Sequence, residues 1–151
     1  MTLTVALDDP LKPELTALLR ASHALMQSLF PAESNHFLRV EALAAPDIRF
    51  FSARGAETAI GCCALKLLRN YGEVKSMFVD PAARGSGAGA ALLAAVETEA
   101  RANALPLLLL ETGSKLAAAH RLYARAGFVE RGPFGDYRED PHSLFMEKAL
   151  T

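Results

Sequence analysis

The segment from Val79 to Ala91, VDPAARGSGAGAA, constrains the fold of this chain more than any other. An apolar strand pattern stops at Asp80-Pro81, and Arg84, Gly85, Gly87 and Gly89 then lead directly into a helical pattern. Glycines at this density let the backbone turn tightly and leave N–H groups unshielded, and a helix start adds its partial positive charge. Strand, glycine turn and helix in succession therefore predict an α/β unit with a candidate anion cradle, and Arg84 supplies a permanent cation beside it. A purely structural strand-to-helix turn uses glycine equally well, so this segment alone leaves both readings open. Two nucleotide motifs are excluded. Gly85, Gly87 and Gly89 read G-x-G-x-G and not G-x-G-x-x-G, and Gly89 is followed by Ala90-Ala91 where a P-loop needs Lys-Ser or Lys-Thr.

A chain of 151 residues predicts a single domain over 1–151, and 51% hydrophobic residues exclude a disordered polymer. The formal net charge of -1 argues against nucleic acid as a partner, because domains that bind it carry a marked basic excess. The N-terminus, MTLTVALDDP, lacks a basic start followed by an apolar core. No apolar run approaches the roughly 18 residues of a membrane span, so the expectation is a cytoplasmic protein with no membrane partner. Cys62 and Cys63 are adjacent within an apolar strand pattern, which sends their side chains to opposite faces and reads as two buried thiols. The spacing of His23, His36, His120 and His142 does not suggest zinc, and no metal is expected.

Leu3 to Leu7 reads as a first strand, and Leu15, Leu18, Leu19, Leu25 and Leu29 recur at near-helical intervals up to Phe30-Pro31. A second, shorter helix is predicted from Phe37 to Leu43. Ile48 to Ala53 and Ala59 to Leu67 read as strands joined through Arg54-Gly55-Ala56-Glu57, a hairpin-like turn with a glycine. Strands over Glu73 to Val79 and Leu107 to Thr112 alternate with helices over Ala88 to Ala102 and Lys115 to Ala126. Phe128 to Arg131 and Ser143 to Lys148 complete the strands. This order predicts an α/β domain with a mixed sheet.

Arg84-Gly85-Ser86-Gly87-Ala88-Gly89 resembles, residue for residue, the acyl-CoA-binding motif of the GNAT N-acetyltransferase superfamily, Arg/Gln-x-x-Gly-x-Gly/Ala between a strand and a helix. Leu122-Tyr123-Ala124-Arg125-Ala126-Gly127-Phe128 resembles the Leu-Tyr-x-x-x-Gly-Phe segment that ends the superfamily's last helix. The resemblance covers at least Gly72 to Phe128. It implies a GNAT-like mixed, mostly antiparallel central sheet flanked by helices, with acetyl-CoA as co-substrate. It further implies cofactor contacts from Arg84, Gly85, Ser86, Gly87, Ala88, Gly89 and Ala90. The backbone of Met77, Phe78 and Val79 would receive the pantetheine arm like an added strand, while their side chains read as core. Many members carry an asparagine seven residues before the tyrosine. Here that position is Leu116, flanked by Ser114 and Lys115.

Acetylating an amine requires an acceptor for the amine's proton and a donor for the departing thiolate. Glu111 closes the apolar run LLLLE, and a carboxylate at the mouth of a buried strand tends toward a raised pKa. It resembles the glutamate that some members use as base, twelve residues ahead of the tyrosine. Glu73, on the neighbouring strand, is the alternative base, acting through water. A solvated strand end, or a partner for an arginine, is the structural alternative for Glu111. Tyr123 occupies the position where many members place the tyrosine that protonates the CoA sulfur, and a phenol is still protonated at neutral pH. Its other reading is a ring packed in the core. Glu33, Asn35 and His36 lie in a segment that resembles a Ser-Asn-His stretch of a small bacterial subgroup, which implies substrate contacts. Capping of the next helix by Ser34 or Asn35 explains the same residues. The loop Gly132 to Tyr137 reads as a pocket loop or as a turn between strands.

The resemblance and the residues together predict acetyl transfer, without a covalent acyl-enzyme, to a primary amine of a small metabolite or amino-acid-like molecule. Cys62 and Cys63 lack an evident histidine partner for a thiol relay. A non-catalytic acyl-CoA-binding regulatory module and a protein N-terminal or lysine acetyltransferase are the rival expectations. Transfer of another acyl group and pairing of strand edges into a homodimer are left open by the sequence.

Overall fold

The computed structural model describes residues 2–151. Its strands are β1 (Leu3–Leu7), β2 (Ile48–Gly55), β3 (Thr58–Leu67), β4 (Gly72–Val79), β5 (Leu107–Gly113), β6 (Val129–Arg131) and β7 (Ser143–Ala149). Its α-helices are α1 (Pro13–Leu29), α2 (Ala88–Ala102) and α3 (Ala117–Arg125). The strands form one sheet in the order β1-β2-β3-β4-β5-β7-β6, antiparallel at every pairing except β4 with β5.

Two apolar layers sandwich this sheet, as period-2 strands between amphipathic helices require. On one face Leu15, Leu18 and Leu19 of α1 pack against Phe50, Cys62, Ala64 and Phe78. On the other, Leu92, Leu93 and Val96 of α2 and Tyr123 of α3 pack against Cys63, Leu65, Val74, Leu108 and Leu110. The two cysteines thus enter opposite layers, both fully buried and free, and burial pushes the Cys62 thiol up to about 12.

Two local expectations are corrected. The turn between β2 and β3 is only Ala56-Glu57, with φ of 49° and 72°, while Gly55 ends the strand. Positive φ at both residues gives the reversal the same hand of twist as the strands it joins. The segment Phe37 to Leu43 is not an α-helix: residues 35–39 are irregular and a short 3-10 helix covers Val40–Ala44. Tertiary contacts outweigh local propensity here, because the Phe37 ring stacks on His23 of α1 and the His36 carbonyl accepts a bond from Lys75.

The parallel pair β4 and β5 is the feature that creates a site. Cross-strand pairing runs only from Gly72↔Leu108 to Val74↔Leu110, and beyond it the two strands part. A bulge in β4 accompanies the split. Ala64 of β3 faces Lys75 and Cys62 faces Phe78, so Ser76 and Met77 together oppose Cys63. Ser76 takes φ of +56°, a conformation unfavourable for a residue with a Cβ.

Candidate active site

Past the split, the inner edges of β4 and β5 have no strand between them, and each strand is paired only on its outer side. A cavity of about 100 Å³ fills this gap, lined by Lys75, Ser76 and Met77 from β4 and by Glu111, Thr112 and Gly113 from β5. Tyr123 of α3 and residues of α1 and the following loop, among them Ser22, Phe30, Asn35 and His36, close it. Strain and an unmet polar atom both fall on its wall, since the buried Ser76 hydroxyl has no hydrogen-bond partner among the described residues.

Glu111 and Tyr123 reach this cavity from opposite faces of the sheet. Strand alternation puts Glu111 on the face of Leu109, which packs with Phe134 and Phe145, whereas Tyr123 belongs to the layer under α2 and α3. A continuous sheet would keep them apart; the parted strands let both meet one space. Burial raises the Glu111 pKa above the ordinary carboxylate value, only partly offset by the hydrogen bond that Ser143 Oγ donates to its Oε2 at 2.8 Å. Burial likewise raises the pKa of Tyr123, 5% exposed, so that its phenol keeps its proton at any physiological pH. A carboxyl of raised pKa and a protonated phenol thus face one cavity from two sides.

Glu73 lies outside this cavity. It is buried, and it accepts hydrogen bonds from Tyr137 Oη at 2.6 Å and Lys75 Nζ at 3.2 Å. It lines a second, more open cleft of about 550 Å³ with Glu33, His36, Tyr71, Lys75, Phe134 and Tyr137 among its walls. Lys75 and His36 border both spaces and so mark their junction. The predicted substrate-side residues are thereby divided: Asn35 and His36 on the inner cavity, Glu33 with His36 on the outer cleft. Helix capping by Ser34 or Asn35 is overturned, because no helix starts at His36 and the Ser34 hydroxyl donates to Asp140 Oδ2 at 2.7 Å.

At its C-terminal end β4 leads into the glycine turn. Asp80 accepts a bond from the Ala82 N–H and so caps a 3-10 turn over Pro81–Ala83, after which Gly85 and Gly87 take φ of +85° and +87°. Gly87 is the N-cap of α2, whose first intrahelical bond runs from the Ala91 N–H to the Gly87 carbonyl at 3.0 Å. The N–H groups of Gly89 and Ala90 precede that bond, while that of Ala88 donates to Ser86 Oγ at 3.3 Å. Gly89 has a second reason to be glycine: an added Cβ would sit 2.9 Å from Leu122 Cδ2 of α3. Arg84 and Gly85 are exposed beside this helix start. An open strand edge running toward a helix N-terminus suits an elongated ligand that has amide groups at one end and phosphates at the other. Among the described residues no group of three or more His, Cys, Asp or Glu could hold a metal ion.

Sequence reasoning missed Lys75, Ser143 and Asp140, and it reached Tyr137 only as the end of a candidate pocket loop. Lys75 carried a legible signal, since it stands two residues from Glu73 and so shares its strand face. The others come from chain distant in sequence, and only folding brings them in.

The model of the acetyltransferase (GNAT) family matches residues 15–128. A protein of Azospirillum brasilense named IAA acetyltransferase is 49% identical over 149 residues, 97% of each chain. A Klebsiella pneumoniae crystal structure, provisionally named an acyl-CoA N-acyltransferase, superposes with a TM-score of 0.83 at 34% identity, covering 99% of both chains. The PaiA N-acetyltransferase of Thermoplasma acidophilum, solved in complex with coenzyme A, shares the fold with a TM-score of 0.76 at 18% identity over 99% of both chains.

Proposed function

The chain belongs to the GNAT acetyltransferase family and is an acyl-CoA-dependent acetyltransferase; from that premise we propose that it transfers acetyl directly to a primary amine of a small metabolite or amino-acid-like molecule. Acetyl-CoA, when bound, supplies the activated thioester. The open inner edge of β4 from Lys75 to Val79 would hold the pantetheine amides, and the Gly89 and Ala90 N–H groups with Arg84 would hold the pyrophosphate. The same layout would lead the thioester end of the arm toward the cavity between Glu111 and Tyr123.

In this reading Glu111 takes a proton from the acceptor's ammonium nitrogen, and Tyr123 Oη delivers one to the leaving sulfur. His36 and Lys75 line both spaces, so an acceptor entering the inner cavity from the outer cleft would pass them. The observation that carries the proposal is the convergence of a carboxylate of raised pKa and a protonated phenol on one space beside an unpaired strand edge.

Calorimetry with acetyl-CoA, together with a thiol-release assay over a panel of primary amines, tests it. The expected result is donor binding and CoA release that depends on an added primary amine. Donor binding with no amine or peptide N-terminus consumed would instead make the protein a binding module. Turnover confined to peptides would move the acceptor to protein.

A further inference from the structure

Lys75 is a primary amine built into the junction of the two cavities. Its side chain is only 9% exposed. Its Nζ donates to Tyr137 Oη at 3.0 Å, to Glu73 Oε2 at 3.2 Å and to the His36 carbonyl at 3.2 Å, and it lies 5.7 Å from the centroid of the Tyr137 ring. Carboxylate, phenol, carbonyl and ring face are the partners that an incoming acceptor ammonium would need. The chain's own ammonium already has them, on the strand whose free edge faces the gap.

We propose that Lys75 is a self-acetylation site, at which the protein modifies its own primary amine from acetyl-CoA held in the gap. The inference rests on the donor binding where the preceding section places it. Glu73, 3.2 Å away, takes one proton from the Lys75 ammonium. The freed amine attacks the thioester carbonyl carbon, a C–N bond forms, and the C–S bond breaks with its electron pair leaving on sulfur. That sulfur takes a proton from Tyr123 or solvent, the second nitrogen proton is lost to solvent, and the products are Nε-acetyl-Lys75 and CoA. The amide carries no charge, so modification removes the counter-ion of the buried Glu73 carboxylate.

Burial separates this reaction from chemical background. Spontaneous acetylation favours exposed lysines such as Lys12, whose side chain is 51% exposed, and Lys115. The protein is incubated with deuterated-acetyl CoA without any acceptor amine, and the lysine-containing peptides are mapped by mass spectrometry. Labelling of Lys75 is expected to run roughly tenfold or more faster than that of Lys12 or Lys115, as a donor held beside the nucleophile allows. Excess CoA should suppress it while leaving the exposed lysines unaffected, and Lys75→Arg should lack it. Labelling confined to exposed lysines, or Lys75 labelling indifferent to CoA, overturns the proposal. Calorimetry on the same sample separates the two readings. Absence of donor binding removes both, whereas donor binding with an unlabelled Lys75 removes self-acetylation alone.

Discussion

Glu111 and Tyr123 owe their usefulness to burial, and burial has a cost that can be measured. A carboxyl group whose folded pKa is raised favours the folded state fully below its unfolded pKa, and loses that advantage as pH rises through the folded value. Glu111→Gln has no charge to bury, so its melting temperature relative to the parent should rise near neutral pH and the gain should vanish in acid. In the same variant the acid limb of the kcat profile should flatten, because that limb reports the base losing its charge. Tyr123→Phe should keep acetyl-CoA binding and lower kcat by about a hundredfold, the loss expected of a missing general acid. An unchanged kcat in both variants would return the proton transfers to water. Glu73→Gln is the comparison; loss of the acid limb there and not in Glu111→Gln would assign the base to β4.

At the scale of elements, the glycine turn and α2 combine two demands that substitutions can separate. Among the described residues nothing lies within 4 Å of a Cβ added at Gly85, yet its φ is +85°, so Gly85→Ala costs only backbone conformation, about 1–2 kcal/mol. Gly89 has ordinary helical geometry but would press on Leu122 of α3, so Gly89→Ala should cost about 1–3 kcal/mol through overpacking. Denaturant titration should show both losses. Only Gly87→Val, which forces a β-branched residue into φ of +87° at the N-cap itself, is expected to weaken CoA binding by more than its effect on stability explains. Calorimetric affinity equal to the parent's in a folded Gly87→Val protein would remove the turn from the binding site. Gly113 makes a third kind of contact. It lets the end of β5 lie against the ring of Phe30, the residue that follows α1, and both line the inner cavity.

Across the whole molecule, one carboxylate adds a polar link between the β1–α1 connection and β2, beside the β1–β2 ladder and the apolar face of α1. Asp8 follows β1, and its Oδ2 accepts from Ser52 Oγ at 2.5 Å and Arg54 at 3.0 Å, while its Oδ1 pairs with Lys12 at 2.8 Å. Burial alone would raise its pKa, but these hydrogen bonds outweigh it and hold the group well below the ordinary aspartate range. The resulting stability is present above the unfolded pKa and is lost as pH falls toward the folded one. Asp8→Asn should therefore lower the melting temperature at pH 7, with the deficit shrinking below about pH 4; a constant deficit across pH would mean that packing, not charge, ties the strand. This tie was not legible in the chain, because Ser52 and Arg54 lie more than forty residues beyond Asp8. The same limit explains the site. The sequence by itself determined the alternation of strands and helices, the glycine turn opening α2, the burial of Cys62 and Cys63 on opposite faces, and the candidacy of Glu111, Glu73 and Tyr123, because each follows from local periodicity, backbone freedom or a short motif. Only the tertiary structure decided that β4 and β5 part after Val74 and Leu110, that Glu111 and not Glu73 lines the resulting cavity, that Tyr137 and Lys75 engage Glu73, and that residues 37–43 form no α-helix. Those outcomes depend on which distant surfaces meet, and strand register and long-range side-chain contacts leave no periodic trace in the sequence.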